Sequence, residues 1–204
     1  MSTAREDILR RVGAALAPLT NRAPRPLLEA HIDQLRRAGA EGPDRTALFF
    51  ERLKAVNGVP LASPADLKQL LEAQACTFGF CDERLMARLQ PLLSPGITLS
   101  STLDPARLDT YQFGITLADG AIAETGTVVL GDHTTAHRLA ALAPWIHIAV
   151  VRADTIQPDI PAGIAALPRD PNVVWVTGPS KTADVEGILI EGVHGPGIQA
   201  VWVD

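Results

Sequence analysis

The sequence predicts an α/β fold with an open, mostly parallel sheet, flanking helices, an inserted antiparallel hairpin and a helical N-terminal extension. Three observations predict it. Helical periodicity fills the first quarter of the chain, strand and helix patterns alternate afterwards, and Asp119-Gly120 interrupts that alternation with the turn signal of a two-residue hairpin. The extension is predicted to comprise residues 1–54, and the α/β domain residues 55–204.

The composition argues against a nucleic-acid-binding protein, an iron–sulfur protein with four cysteine ligands and a membrane-spanning protein. The chain has 204 residues, of which 47% are apolar, and 18 basic against 23 acidic residues give a net charge of −5, which does not favour nucleic acid as a partner. Cys76 and Cys81 are too few to hold an iron–sulfur cluster with four thiolates, and they suit a reducing compartment. The longest nearly apolar run, residues 139–151, contains Pro144 and His147 and is shorter than the roughly 20 residues that span a membrane. A soluble, cytoplasmic protein with no membrane span is expected.

The amino-terminal elements follow from capping signals and spacing. Thr3 and Glu6 have the spacing of a capping box, and apolar residues then recur at helical spacing over residues 4–17. Two further helices are predicted over residues 26–37 and 44–56. Next come a strand over residues 58–62, a helix that begins at Ser63-Pro64, a strand over residues 76–80 and a short helix capped by Asp82.

The remaining strands are clearer in the sequence. They are predicted over residues 113–117, 121–130, 146–151, 172–177 and 199–203. The last three are separated by segments long enough for crossover helices, which favours parallel pairing. The first two are predicted to pair as an antiparallel hairpin, with Leu117 opposite Ile122 and Ile115 opposite Glu124.

Glu124 is the candidate catalytic residue. In the predicted hairpin it shares a face with Ile122, Val128 and Leu130, and desolvation in such an apolar surface raises the pKa of a carboxyl group. A carboxyl group of this kind suits a general base or a nucleophile. Two other interpretations are open: a bulge at Gly126 turns Glu124 outward, or Glu124 pairs with a buried arginine.

A candidate anion site follows the strand that ends near Val176. Residues 177–184 are predicted to open a helix, whose free backbone N–H groups would bind an anion together with Ser180, Lys181 and Thr182. The alternative is an ordinary capped helix start with Ser180 as the cap. The segment lacks the glycine spacing of a Walker A loop.

The segment Gly192-Val-His-Gly-Pro-Gly197 is predicted to leave that helix, with Gly192 as its C-cap. Its glycines do not have the dinucleotide-binding order. His194 either faces a ligand or is solvated. His133 and His137 have a spacing compatible with a metal pair but no third ligand, so neither a metal nor another cofactor is expected.

Three segments together resemble the lactate-utilisation protein C family, the stand-alone LUD domain. They are residues 114–127, 178–186 and 192–196, and the resemblance spans about residues 55–204. It implies a fold similar to the sugar-isomerase and CoA-transferase superfamily, and participation with two iron–sulfur partner proteins in oxidising L-lactate to pyruvate. Lys181 stands where many relatives have arginine. The candidate site residues by motif position are Glu124, Gly178, Ser180, Lys181, Thr182, Asp184, Glu186 and His194.

Oxidation of lactate needs an electron acceptor, and the sequence shows neither a cysteine set nor a dinucleotide fingerprint for one. The predicted function is therefore an accessory or ligand-binding subunit that binds a small anion at the carboxyl ends of the strands around residues 178–182. One alternative is an independent isomerase or acyl/CoA transferase that uses Glu124 as base or nucleophile. Another is a structural interaction module without a pocket.

Overall fold

The structure, a computed structural model, describes residues 3–19, 44–131, 138–167, 172–183 and 189–204. The chain forms two compact units, Met1–Asp33 and Gln34–Asp204. In the first unit, helix α1 (Ala4–Leu16) begins at the predicted capping box, because Thr3 Oγ1 accepts the Glu6 N–H and the Glu6 carboxylate accepts the Thr3 N–H. The helix predicted over residues 26–37 lies outside the described residues.

The first described helix of the second unit is the predicted helix capped by Asp44. Asp44, Ser63 and Asp82 each accept a backbone N–H at the start of a helix, as their sequence positions predict. The described helices of this unit are α2 (Arg45–Ala55), α3 (Pro64–Ala73), α4 (Glu83–Leu89), α5 (Arg138–Leu142) and α6 (Ile160–Ala166).

A six-stranded parallel sheet is the centre of this unit. Its spatial order is β1-β12-β7-β4-β2-β3, and every neighbouring pair is parallel. The strands are β1 (Val59–Leu61), β2 (Phe78–Cys81), β3 (Thr98–Ser100), β4 (Phe113–Leu117), β7 (Ile146–Val151) and β12 (Ile198–Val203). This sheet confirms the predicted α/β class, although β3 was not predicted.

A second, four-stranded sheet has the order β8-β5-β6-β9. Its strands are β5 (Gly120–Ile122), β6 (Thr127–Gly131), β8 (Ile156–Gln157) and β9 (Val173–Val176). Strand residues alternate between two cores. On one face of the parallel sheet, Phe113 and Ile148 pack with Leu67 of α3 and Leu85 of α4. On the other face, a separate core joins α2 and the second sheet through Phe49, Leu53, Val128, Leu130, Ala149 and Val201.

The predicted hairpin across Asp119-Gly120 is wrong. Strand β4 lies between β7 and β2, while β5 pairs antiparallel with β6, so that Ile122 faces Thr127 and Glu124 lies in the turn between them. The physical reason is that Asp119 marks a crossing between sheets. Its N–H donates to Val129 O and its carboxylate accepts the Gly131 N–H, which joins residue 119 to β6 of the second sheet.

The helix predicted after Gly178 is also wrong. Strand β10 (Lys181–Ala183) pairs antiparallel with β11 (Leu189–Glu191), so Gly192 follows a strand instead of capping a helix. Strand β9 likewise does not join the parallel sheet, because it pairs antiparallel with β6. Of the three strands predicted to be parallel, only those at residues 146–151 and 198–203 are parallel neighbours.

Candidate functional site

A cleft of about 250 Å³ lies where the loop of residues 177–180 meets the turn of residues 194–196. Strand β9 and residues 141–142 of α5 complete its walls, and Gln199, the second residue of β12, is also part of the lining. Gly178, Ser180 and His194 of the predicted site therefore come together. The loop follows the carboxyl end of β9, but within the parallel sheet the cleft lies at the amino-terminal start of β12.

Backbone hydrogen bonds hold the two segments together. The Ser180 N–H donates to Pro196 O at 2.9 Å, and the Gly192 N–H donates to Ser180 O at 2.9 Å. Gly195 allows this approach, since a Cβ there would lie 3.0 Å from the Cβ of Ser180. The two motifs thus form a single backbone framework, in which loops on a rigid scaffold present the cleft.

Two glycines fix where the loop runs. Gly178 has φ +73°, a left-handed conformation that favours glycine, and a Cβ at this position would collide with Val56 O at the end of α2. Gly192 has φ +80° and packs against the ring of Trp145. Side chains at either position would push the loop or the turn away from its present neighbour.

The side chain of Lys181 contacts the end of α2 and strand β11. Its ammonium group donates to Val56 O at 2.9 Å and lies 3.5 Å from the carboxylate of Glu191, which also accepts a hydrogen bond from Asn57 at 2.7 Å. A cation near the last carbonyl groups of a helix is favourable, so Lys181 stabilises the end of α2. Lys181 and Thr182 are not part of the described cleft lining. The other sequence candidates, Asp184, Glu186, His133 and His137, lie outside the described residues.

Glu124 is half-buried in the β5–β6 turn. Its carboxylate accepts the N–H of Ile160, the first residue of α6, at 3.3 Å, and its own N–H donates to Pro158 O. The apolar strand face that the hairpin register predicted for Glu124 is therefore not its environment, and it is not part of the described cleft lining.

A row of threonine hydroxyl groups runs from the β5–β6 turn to the cleft. Thr125 and Thr127 are joined by a hydrogen bond of 2.6 Å, and Thr127 and Thr177 by one of 2.8 Å. Thr177 lines the cleft, and Thr125 is the neighbour of Glu124 in sequence. The row gives the turn a polar connection to the cleft.

Sequence reasoning missed a buried polar row behind the cleft. His147 is fully buried, and its Nε2 lies 2.8 Å from the hydroxyl of Thr116, while its Nδ1 lies 2.7 Å from Oε1 of Gln199. Burial lowers the pKa of His147 to about 4, and the hydrogen bond to Gln199 opposes that change. The available signal was that His147 and Gln199 each lie within an otherwise apolar strand pattern, where a polar residue on a buried face needs partners.

A second cleft, of about 180 Å³, lies beyond the carboxyl ends of β4 and β7. Asp119 and Asp154 contribute carboxylates to its lining, beside Thr155 and Gln157. The carboxylate of Asp154 is paired with Arg152, and that of Asp119 accepts the Gly131 N–H. The anion site that the sequence predicts at the carboxyl ends of the strands stays a prediction.

The two cysteines are free and buried. Burial, with a smaller contribution from the neighbouring Asp82, raises the pKa of Cys81 to about 12, so its thiol is protonated at neutral pH.

Within the described ranges, no three side chains of histidine, cysteine, aspartate or glutamate are placed to hold a metal ion together. None of the helices described for this chain is long and apolar enough to cross a membrane.

Residues 106–201, a little under half of this α/β chain, match the family model of the LUD domain. Over 46% of its length the chain is 38% identical to Lactate utilization protein C of Deinococcus radiodurans, covering 47% of that protein. Over 48% of its length it is 35% identical to the protein of the same name from Bacillus licheniformis, covering 43% of it. These matches confirm the resemblance to the lactate-utilisation protein C family, and they span less than half of the relatives' length.

The crystal structure of a DUF162 family protein from Deinococcus radiodurans has a similar fold. It matches with a TM-score of 0.57 and 25% sequence identity, over 88% of this chain and all of that one. The similarity in fold extends over most of the chain, whereas the similarity in sequence to the two relatives extends over less than half of it.

Proposed function

We propose that this chain is a cytoplasmic accessory or ligand-binding subunit of L-lactate utilisation that acts with iron–sulfur partner proteins. One observation carries the proposal. In a chain related to proteins named Lactate utilization protein C, the loop at Gly178 and the turn at His194 converge on one cleft.

The size and lining of the cleft favour a small anion. Its volume of about 250 Å³ is below the roughly 300–1,000 Å³ of pockets that bind drug-sized molecules. Ser180 and His194 bring a hydroxyl group and an imidazole to the lining, and no carboxylate belongs to the described lining. A small carboxylate such as lactate or pyruvate has a matching size, and no carboxylate of the described lining repels it.

In this proposal, the iron–sulfur partner proteins accept the two electrons that are removed from lactate. Oxidising lactate to pyruvate removes two electrons, and a chain with two cysteines cannot supply four thiolates to an iron–sulfur cluster. The net charge of −5 supports a localised anion site better than a nucleic-acid surface.

The division into an extension of residues 1–54 and a LUD-like domain of residues 55–204 stays a prediction. The side chains of Phe49 and Leu53 belong to the core beneath the second sheet, so α2 packs with residues on the other side of that boundary. Limited proteolysis of the full chain tests the boundary. A stable fragment that starts close to residue 55 supports it, and one that retains α2 contradicts it.

Reconstitution tests the proposed subunit role. The purified chain is expected not to oxidise L-lactate, and oxidation by its iron–sulfur partners is expected to fall when the chain is omitted. Gly195→Leu places a side chain in the contact between the turn and Ser180, so this variant should fail to restore lactate oxidation by the partners. Gly96→Ala changes a position with open space around it, so this variant should restore the oxidation. Full activity of the partners without this chain would contradict the proposal.

The alternative is an independent isomerase or acyl/CoA transferase that uses Glu124. The hydroxyl row from Thr125 to Thr177 favours it, because hydrogen-bonded hydroxyl groups can pass a proton between the Glu124 turn and the cleft. Its test is Glu124→Gln, assayed against sugar phosphates and CoA esters. Loss of turnover in a folded variant supports the alternative, and unchanged turnover contradicts it.

A further inference from the structure

The buried polar row behind the cleft consists of Thr116, His147 and Gln199, one residue from each of three neighbouring parallel strands. Their side chains share the face of the sheet that turns toward the second sheet, since Ala149 and Val201, two residues further along the same strands, belong to the core on that face. Thr116 and His147 are fully buried, and Gln199 keeps only 1% of its surface exposed, so bulk water contributes little to their hydrogen bonding. Their hydrogen bonds to each other are therefore required.

Donor and acceptor roles along the row follow from Gln199. The amide oxygen of Gln199 can only accept, so the hydrogen at the 2.7 Å contact belongs to Nδ1 of His147. The neutral imidazole then has an unprotonated Nε2, which accepts the hydroxyl hydrogen of Thr116 at 2.8 Å. The direction of every hydrogen bond in the row is thereby fixed.

These donor and acceptor roles determine which group of the Gln199 amide is left to bond to a ligand in the cleft. Its oxygen is occupied by His147, and one N–H of its amide donates to Ala200 O at 3.3 Å. The second N–H has no acceptor among the described residues, and Gln199 is part of the cleft lining. The group left for a ligand is a hydrogen-bond donor.

We infer that Gln199 donates a hydrogen bond to a carboxylate ligand in the cleft, and that His147 and Thr116 are positioning residues that hold its amide in the donating orientation. The inference rests on the proposed function in one respect, that a small anion occupies the cleft. A fixed donor favours a ligand that carries an acceptor and adds no charge to the site, and Lys181 is engaged elsewhere.

Isothermal titration calorimetry with L-lactate and with pyruvate tests the role of Gln199. Gln199→Met removes the donor at similar volume, and Gln199→Glu replaces it by an acceptor that still accepts the His147 N–H. Both variants are expected to bind about 10- to 100-fold more weakly than the original chain, the range for a hydrogen bond to a charged group. Gln112→Glu is the matched control. The side-chain oxygen of Gln112 accepts hydrogen bonds from Thr77 and Phe78 outside the cleft, and a carboxylate can accept the same bonds, so this variant should bind the ligand unchanged.

The positioning role has its own measurement. Nitrogen-15 NMR of the His147 ring should show hydrogen on Nδ1 and none on Nε2, and Thr116→Val should weaken lactate binding without shifting that hydrogen to Nε2. Binding by Gln199→Met within twofold of the original chain overturns the inference, as does an original chain that binds neither lactate nor pyruvate. Reconstitution with the iron–sulfur partners judges the proposed function separately, because a chain can bind a carboxylate through Gln199 and still be dispensable for lactate oxidation.

Discussion

Acidification from pH 7 to pH 5 should destabilise the folded protein by about 2 kcal/mol through His147 alone. Burial lowers the pKa of His147 to about 4 in the folded protein, against about 6.5 for an unperturbed histidine in the unfolded chain. Between these two values the unfolded chain binds a proton that the folded chain does not, and each pH unit then costs 1.36 kcal/mol. The interval from 6.5 down to 5 gives the stated loss.

The sign follows from the lowered pKa. The contribution of neutral His147 to stability is fully present above pH 6.5, decreases as the pH falls, and is lost once the pH passes below about 4. Urea unfolding at pH 7, 6 and 5 measures it, with His147→Gln as the variant that cannot titrate. The exposed His194 provides the matched control, since His194→Gln should keep the full pH dependence.

The reasoning would be refuted if the original chain and His147→Gln lost the same free energy of unfolding between pH 7 and pH 5. Should His147→Gln not fold, NMR of the original chain decides the question. The ring signals of His147 must then stay those of a neutral imidazole down to pH 5, and a midpoint near 6.5 contradicts the burial argument.

Three further predictions follow from close contacts. Gly114→Ala should lower the free energy of unfolding by about 3 kcal/mol or more, because its Cβ collides with the carbonyl oxygen of Ala140, while Gly96→Ala has open space and should change it by less than about 0.5 kcal/mol in the same urea titration. Cys81 should not react with a thiol reagent at pH 8 until the protein unfolds, and prompt modification of the native chain contradicts its burial. Lys181→Gln should cost up to about 1 kcal/mol of stability yet change lactate affinity less than threefold, and a larger change of affinity assigns its ammonium group to the ligand.

Local signals in the sequence predicted where the described helices that begin after Asp44, Ser63 and Asp82 start. Asp44, Ser63 and Asp82 cap helices by bonding to backbone groups two or three residues away, so everything needed for these starts lies within one turn. The strands at residues 113–117 and 146–151 were also predicted as strands, because buried strands are nearly continuous apolar runs, but the parallel pairing of the first was not predicted.

The hairpin prediction failed because a two-residue turn signal has more than one structural use. Asp119-Gly120 carries the chain from the parallel sheet into the second sheet, where Ala118 still bonds to Val150 O and Asp119 already bonds to Val129 O. The long-range partners, not the turn residues, decide which strand lies beside β4. Register, and with it the environment of Glu124, depends on those partners.

The site was predictable in its segments but not in its contacts. Glycine and proline marked the segments around Gly178 and residues 192–197 as special, and the structure joins them through Ser180 and Pro196. The role of Gln199 depends on His147, which lies far away in sequence, and the role of Lys181 depends on the end of α2. Spacing along the chain contains no signal for contacts of this kind.

The position of β12 affects how the chain can fold during synthesis. Val59 of β1 pairs with Ala200, so an early strand has no neighbour in the parallel sheet until residues 198–203 have left the ribosome. Such pairing of distant segments slows folding and leaves strand edges exposed in the incomplete chain. Nascent chains that stop before β12 should accordingly depend on chaperones, whereas the β2–β4 pair can form much earlier.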